Sequence, residues 1–303
     1  MNILVNHDED RIRAGWRLLI QLFLFITISL LVILSFELLP FEPPQYLRQS
    51  SIFIGGVASV WLTAVFVDKR RFLSLGIRPD AVNWKDFAAG NLIAATSMGI
   101  IFVVEWSAGW IEITGFGWQR SLQWPFVVIS LGYLMSMTLV GFNEELVFRG
   151  YQIKNLTEGL RGRHFTVQQA ILISIMVSSV LFGLAHMGNP NATAVSTVNI
   201  MGAGIVLALP YVVTGRLGLS VGIHLSWNFF QGGVFGFPVS GMPFRASVIQ
   251  IDQLGPRILT GAQFGPEAGL MGIIGLLLVV GGCYWYSRMS GLTIRIDESF
   301  KDR

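Results

Sequence analysis

Trp16-Arg-Leu-Leu-Ile-Gln-Leu-Phe-Leu-Phe-Ile-Thr-Ile-Ser-Leu-Leu-Val-Ile-Leu-Ser-Phe-Glu-Leu-Leu39 decides the fold class. At 1.5 Å per residue a helix of this run is longer than the roughly 30 Å of a bilayer's hydrocarbon core. The run exceeds the apolar core of a signal peptide, and no small-residue cleavage site follows it in Phe36-Glu-Leu-Leu-Pro-Phe-Glu-Pro-Pro44. It therefore reads as an uncleaved membrane span.

Similar runs recur at 51–67, 87–106, 124–142, 167–186, 193–213, 217–237 and 269–286. Of the 303 residues, 52% are hydrophobic and only 13% charged, with a mean hydropathy of +0.60. A soluble domain carries about 25% charged residues, so that class is excluded. The expectation is an all-α fold, a polytopic integral membrane bundle of about eight transmembrane helices. It forms one membrane domain over 1–303, with a catalytic core at about 124–241.

Loop charge sets the orientation. Arg11, Arg13 and Arg17 precede the first run, and Lys69, Arg70, Arg71, Arg78 and Lys85 separate the second from the third. Lys154, Arg161 and Arg163 follow the fourth, Arg216 follows the sixth, and Arg288, Arg295, Lys301 and Arg303 follow the eighth. The alternate loops hold only Arg48, Arg120, Arg245 and Arg257. Both termini are thus expected in the cytoplasm of a multi-pass cell-membrane protein. The pI near 9.2 reflects these basic loops and favours anionic lipid as a partner, not nucleic acid. The single cysteine, Cys283, excludes an intramolecular disulfide and any multi-cysteine metal site. The polar stretch from 238 to 266 reads as an outer loop able to act as a lid, and Glu105 as an outer-interface residue.

Against this apolar background, Glu144-Glu145-Leu-Val-Phe-Arg149 stands out. A charge at the centre of a membrane helix costs about 2.5–3.5 kcal/mol on insertion scales, so intramembrane charge points to function. Two further polar pieces share its four-residue spacing, Phe182-x-x-x-His186 and His224-x-x-x-Asn228. Residues four apart lie on one helix face. Glu145 can pair with Arg149, while Glu144, about 100° further round, points elsewhere. Phe182 can fix the ring of His186, and His224 and Asn228 present an imidazole and an amide to one spot. Such groups can take a proton, activate water and donate hydrogen bonds to an oxyanion. A common site also requires the fourth and fifth helices to protrude into the cytoplasm, the fourth continuing past the bilayer to about Gly159.

Each piece alone has a plainer explanation. Glu145 with Arg149 is an ordinary i,i+4 ion pair, and His224 with Asn228 is interhelical hydrogen-bonding glue. Their occurrence in order on three separate helices favours catalysis. Other intramembrane chemistries lack their signatures: there is no His-Glu-x-x-His and no Gly-x-Gly-Asp. Gly218-Leu-Ser-Val-Gly222 fits Gly-x-Ser-x-Gly, but without the strand-to-helix turn that gives that pattern meaning.

Glu-Glu-x-x-x-Arg followed by Gly150-Tyr151, then Phe-Gly-x-x-His at 182–186 and His-x-x-Trp-Asn at 224–228, resembles the CPBP family. These are the type II CaaX prenyl endopeptidases and their bacterial, Abi-like relatives; Phe237-Pro-Val-Ser-Gly241 looks like the bacterial branch. The resemblance implies an eight-helix intramembrane endopeptidase of glutamic or metallo type, acting on a membrane-associated protein or peptide near the cytoplasmic face. It implies that Glu144 and His186 activate the attacking water, that Glu145 pairs with Arg149, and that His224 and Asn228 stabilise the oxyanion. Two histidines and a glutamate leave zinc open as a cofactor. The absence of a third imidazole at this site, and an Asn four residues past His224, favour the metal-free form. The alternative is a non-catalytic binding or immunity protein on the same fold. Oligomeric state, substrate and cleavage sequence are not readable from the residues.

Overall fold

Each apolar run becomes a helix. The computed structural model describes residues 3–6, 11–39, 45–122, 124–162 and 164–301; His7, Arg163, Arg303 and the side chain of Arg48 lie outside them. In chain order the main helices are α1 (Ala14–Glu37), α2 (Gln45–Leu62), α3 (Ala81–Ser107), α4 (Phe126–Leu160), α5 (Val167–Ala185), α6 (Ala194–Thr214), α7 (Gly218–Asn228) and α8 (Leu270–Met289). Among the described residues, six of these are long and apolar enough to cross a membrane, and Ser51–Val67 forms a shorter apolar stretch.

The burial pattern is that of a membrane protein. In α1 the buried side chains include Arg17, Gln21 and Ser29, while Leu19, Phe23, Ile26, Leu30 and Leu34 face outward. Lipid tails are as apolar as leucine, so such a helix turns its polar groups inward and its apolar face to lipid. Helix ends follow local chemistry. Thr166 and Gln169 form a capping box at the start of α5, Thr193 accepts from the Ser196 N–H at the start of α6, and Gly215, at φ 64°, ends α6 in the left-handed conformation.

The seventh run departs from a lipid-facing span. Every residue of α7 is buried, making it the central post of the bundle. Its backbone lies directly against α3: a Cβ at Gly90 would meet the Leu219 carbonyl oxygen, and one at Gly222 the Phe87 carbonyl oxygen. Small residues permit this approach, and the contact fixes the depth of His224 and Asn228.

Basic residues gather at one end. Glu158 receives Arg17 at 3.2 Å, Arg11 at 3.4 Å and Arg70, while the Arg161 Nη1 donates to the carbonyls of Phe300 and Lys301. Segments near both ends of the chain therefore meet at the far end of α4, on the face whose loop charge marks it as cytoplasmic.

At the opposite end the 238–266 stretch is folded rather than an open loop. Within it β4 (Ile249–Gln253) pairs antiparallel with β3 (Ile111–Phe116), with Ile111 opposite Gln253 and Phe116 opposite Ile249. A second small pair, β1 (Val5–Asn6) with β2 (Arg11–Ile12), lies near the N-terminus. The β3–β4 ribbon closes over the end of α3, and Glu105 is fully buried there with neither carboxylate oxygen hydrogen-bonded. Glu105 is thus enclosed by the fold near the end of α3. The Trp110 N–H bonds to its carbonyl oxygen and turns the chain back over it.

Candidate active site

α4 carries the two glutamates, and its geometry changes at them. From Phe126 to Glu144 it is α-helical, from Glu145 to Ile153 it widens to π-helix, and it finishes as α-helix from Lys154 to Leu160. The continuation past Gly159 matches the length that a common site requires. The π stretch differs from the 3.6-residue turn assumed from spacing; wide turns of this kind recur at functional sites. The Ser178 hydroxyl donates to the Phe148 carbonyl at 2.7 Å, giving a π-turn carbonyl a partner from α5.

Arg149 is the anchor. Its side chain is 1% exposed; Nη1 lies 3.1 Å from the Glu145 Oε1, Nη2 donates to the Gly204 carbonyl of α6 at 3.3 Å, and the guanidinium stands 4.3 Å over the Phe182 ring. A planar guanidinium supplies all three contacts at once. Glu145, fully buried, also accepts from His224 Nδ1 at 2.8 Å on the same Oε1. Glu145 therefore joins α4 to α7.

Glu144 points to a different place. Its Oε2 is buried without a hydrogen bond, 3.7 Å from His224 Nε2 and 3.9 Å from His186 Nε2. Both separations exceed a direct hydrogen bond and suit a bridging water. His186 is oriented by its other nitrogen, Nδ1, 2.8 Å from the Phe182 carbonyl oxygen. A carbonyl only accepts, so Nδ1 carries the proton and Nε2 of the neutral ring has its lone pair toward Glu144. The Phe182 ring meets His186 edge-on at 4.8 Å and His224 at 6.0 Å, packing between both imidazoles.

Glu144, His186, His224 and Asn228 line one cavity of about 2200 Å³, which reaches from the cytoplasmic residues Arg17 and Glu158 to Ser240 and Glu267. Leu22, Phe25, Ile52 and Phe53 of α1 and α2 give one wall an apolar lining. Asn228 is buried one turn beyond His224, and among the described residues no other group hydrogen-bonds its amide. The structure brings together all six residues singled out from the motifs. Among the described residues, no cluster of three or more His, Cys, Asp or Glu side chains is arranged to hold a metal ion.

One lining group was missed by sequence reasoning. Glu267, just before α8, faces the cavity near His186 and accepts from the Ser240 N–H at 2.7 Å and the Ser240 hydroxyl at 3.0 Å. An isolated acid ahead of an apolar run carries no spacing signal. Its neighbour Ser240 belongs to the Phe237–Gly241 motif, which was the available hint.

A multi-pass membrane protein with a polar site enclosed by four of its helices is the class that fold and geometry define. Residues 123–230, which hold all six motif residues, match the family model of the Rce1-like, type II CAAX prenyl endopeptidases. That stretch thus matches the model of the family that the motifs resemble. The chain is also similar to the "Uncharacterized protein YyaK" of Bacillus subtilis (strain 168), 22% identical over 182 residues, 59% of this chain and 57% of that protein. The match thus spans little more than half the length of that relative. No solved structure matches the chain.

Proposed function

We propose that the protein is an intramembrane endopeptidase hydrolysing a peptide bond of a membrane-associated protein or peptide, with Glu144 and His186 activating the attacking water. The observation carrying this reading is the Glu144 Oε2, buried, unpaired and facing two imidazole nitrogens at 3.7 and 3.9 Å. A water between Glu144 and His186 meets two acceptors, the carboxylate and the His186 Nε2 lone pair. Its oxygen is thereby made nucleophilic.

As the water oxygen bonds to the carbonyl carbon, its proton passes to Glu144 and the carbonyl becomes an oxyanion. His224 Nε2–H and the Asn228 amide donate to that oxyanion. Because Nδ1 of His224 donates to Glu145, a proton at Nε2 makes the ring an imidazolium. That charge brings Glu144, Glu145, Arg149 and His224 to a net of zero, which a low-dielectric site favours. When the carbon–nitrogen bond breaks, the leaving amine takes the proton held by Glu144.

Residues 124–241 form the catalytic core of a single membrane domain in this reading. The test is membrane proteomics on cells carrying wild type or Glu144→Gln. Peptide ends present only with wild type support the protease and identify its substrate. Complementation of a deletion by Glu144→Gln, with no such ends, favours a non-catalytic binding role.

A further inference from the structure

Glu267 lines the same cavity and has no task in the hydrolytic scheme. It is built in with care. The Ser240 N–H and hydroxyl both donate to Oε2, and Ser240 adopts φ 46° to do so, a conformation costly for a non-glycine residue. Gly241, at φ 84°, lets the turn press on Pro190, where a Cβ would strike the carbonyl oxygen. The Asn189 amide donates to the Ser240 carbonyl at 3.1 Å, and the Asn189 N–H bonds back to the His186 carbonyl. The Asn199 amide donates to the backbone carbonyl of Glu267 itself at 2.9 Å. The Phe237–Gly241 motif thus positions a carboxylate relative to the loop that carries His186.

Among the described residues, no lysine or arginine pairs with Glu267. Of the cavity's lining cations, Arg11 and Arg17 gather around Glu158 at the cytoplasmic mouth, and Arg161 donates to the Phe300 and Lys301 carbonyls. Glu158 lies 14 residues, about 21 Å, along α4 from Glu144. The inner end therefore presents an acid without a lysine or arginine partner, in the same cavity as the groups that would cut the chain. An enclosed carboxylate of this kind is matched by a cation brought in with the ligand. On the endopeptidase reading the scissile bond is internal, so that cation is a side chain and not a free amino terminus.

We propose that Glu267 is a specificity determinant that pairs with a lysine or arginine side chain of the peptide substrate, flanking the bond presented to Glu144 and His186. The inference rests on the endopeptidase reading. Its test uses full-length protein in nanodiscs and internally quenched peptides with lysine or norleucine at each position around the cleaved bond, amino-terminally acetylated or free. Wild type is expected to favour lysine over norleucine at one position by about tenfold or more in kcat/KM, the effect of one good charge pair. Glu267→Gln, which keeps the shape and the Ser240 contacts, is expected to bring that ratio near one. Acetylation is expected to leave the preference in place.

Binding of the same peptides to Glu144→Gln, read by fluorescence anisotropy, separates recognition from cleavage. Lysine-dependent binding that is lost in Glu144→Gln/Glu267→Gln supports the recognition even where wild type cuts nothing, an outcome that would count against the protease reading alone. Absence of lysine-dependent binding, a wild-type ratio near one, or a preference surviving in Glu267→Gln overturns it. So does a preference that vanishes on acetylation, which would assign the cation to the amino terminus.

Discussion

Glu145 Oε1 forms an ion pair with Arg149, Nη1 lying at 3.1 Å, and a hydrogen bond with His224 Nδ1 at 2.8 Å. One carboxylate oxygen thus ties α4 to α7 and orients the imidazole that faces Glu144. The adjacent glutamates divide the work that a single acid could not do: Glu145 is fully buried with Oε1 held by Arg149 and His224, whereas the side chain of Glu144 retains 23% exposure to the cavity.

Because of that division, the two isosteric variants should behave differently. Glu144→Gln removes the proton acceptor without removing a hydrogen bond, so hydrolysis should be lost while folded yield is kept. Glu145→Gln leaves Arg149 buried with a neutral partner and should lower yield and melting temperature as well. Size-exclusion profiles with a cleavage assay distinguish them; an active, folded Glu144→Gln protein would remove Glu144 from its role.

Arg149 bridges three elements, so its truncation is expected to be among the most harmful changes in the bundle. Arg149→Ala leaves Glu145 as a buried anion without its guanidinium, at a cost of about 3–5 kcal/mol. Arg149→Lys restores charge but lacks the fork that reaches Glu145 and the Gly204 carbonyl together, so rescue should be partial. Thermal unfolding in detergent is the measurement; full recovery in Arg149→Lys would show that charge alone matters.

What was legible in the sequence follows from what leaves a local signal. The apolar runs gave the helices because burial of backbone polar groups in lipid demands them. The motif residues converged as their order implied. The four-residue spacing did not reveal the π geometry of Glu145–Ile153, since a glutamate and an arginine four apart meet in either turn. The ribbon did leave a mark, in the alternation Ile249-Gln-Ile-Asp-Gln253 opposite Ile111-Glu-Ile113, but its polar company read as loop. Glu267 lies far from the motifs in sequence and is placed only by the tertiary contact with Ser240.

The cytoplasmic cluster should govern how stability depends on pH. Burial holds the Asp68 carboxyl above its ordinary value of 3.8, against the pull of Arg70 and Arg17 and a hydrogen bond from Asn155. A carboxyl raised on folding takes up protons as the chain folds. Its contribution is greatest in acid and is lost as the pH rises through the folded value. Wild type should therefore lose melting temperature relative to Asp68→Asn as the pH is raised from about 4. A gap moving in the opposite direction would mean that the arginines outweigh burial.

The contact between α3 and α7 sets the depth of His224, so a single methyl group there should disturb both stability and chemistry. In Gly222→Ala the new Cβ meets the Phe87 carbonyl oxygen, a backbone atom that cannot turn aside as a side chain would. Relief requires the two helices to part, and overpacking of this kind costs typically about 1–3 kcal/mol. Separation would draw His224 Nδ1 away from Glu145 Oε1, since α7 carries one partner and α4 the other. Gly222→Ala should therefore lower the melting temperature and reduce activity beyond the loss of folded protein. Gly281→Ala, on α8 with open space around the added atom, should alter neither. Equal melting temperatures for the two variants would show that the close approach of α3 and α7 does not set the geometry of the site.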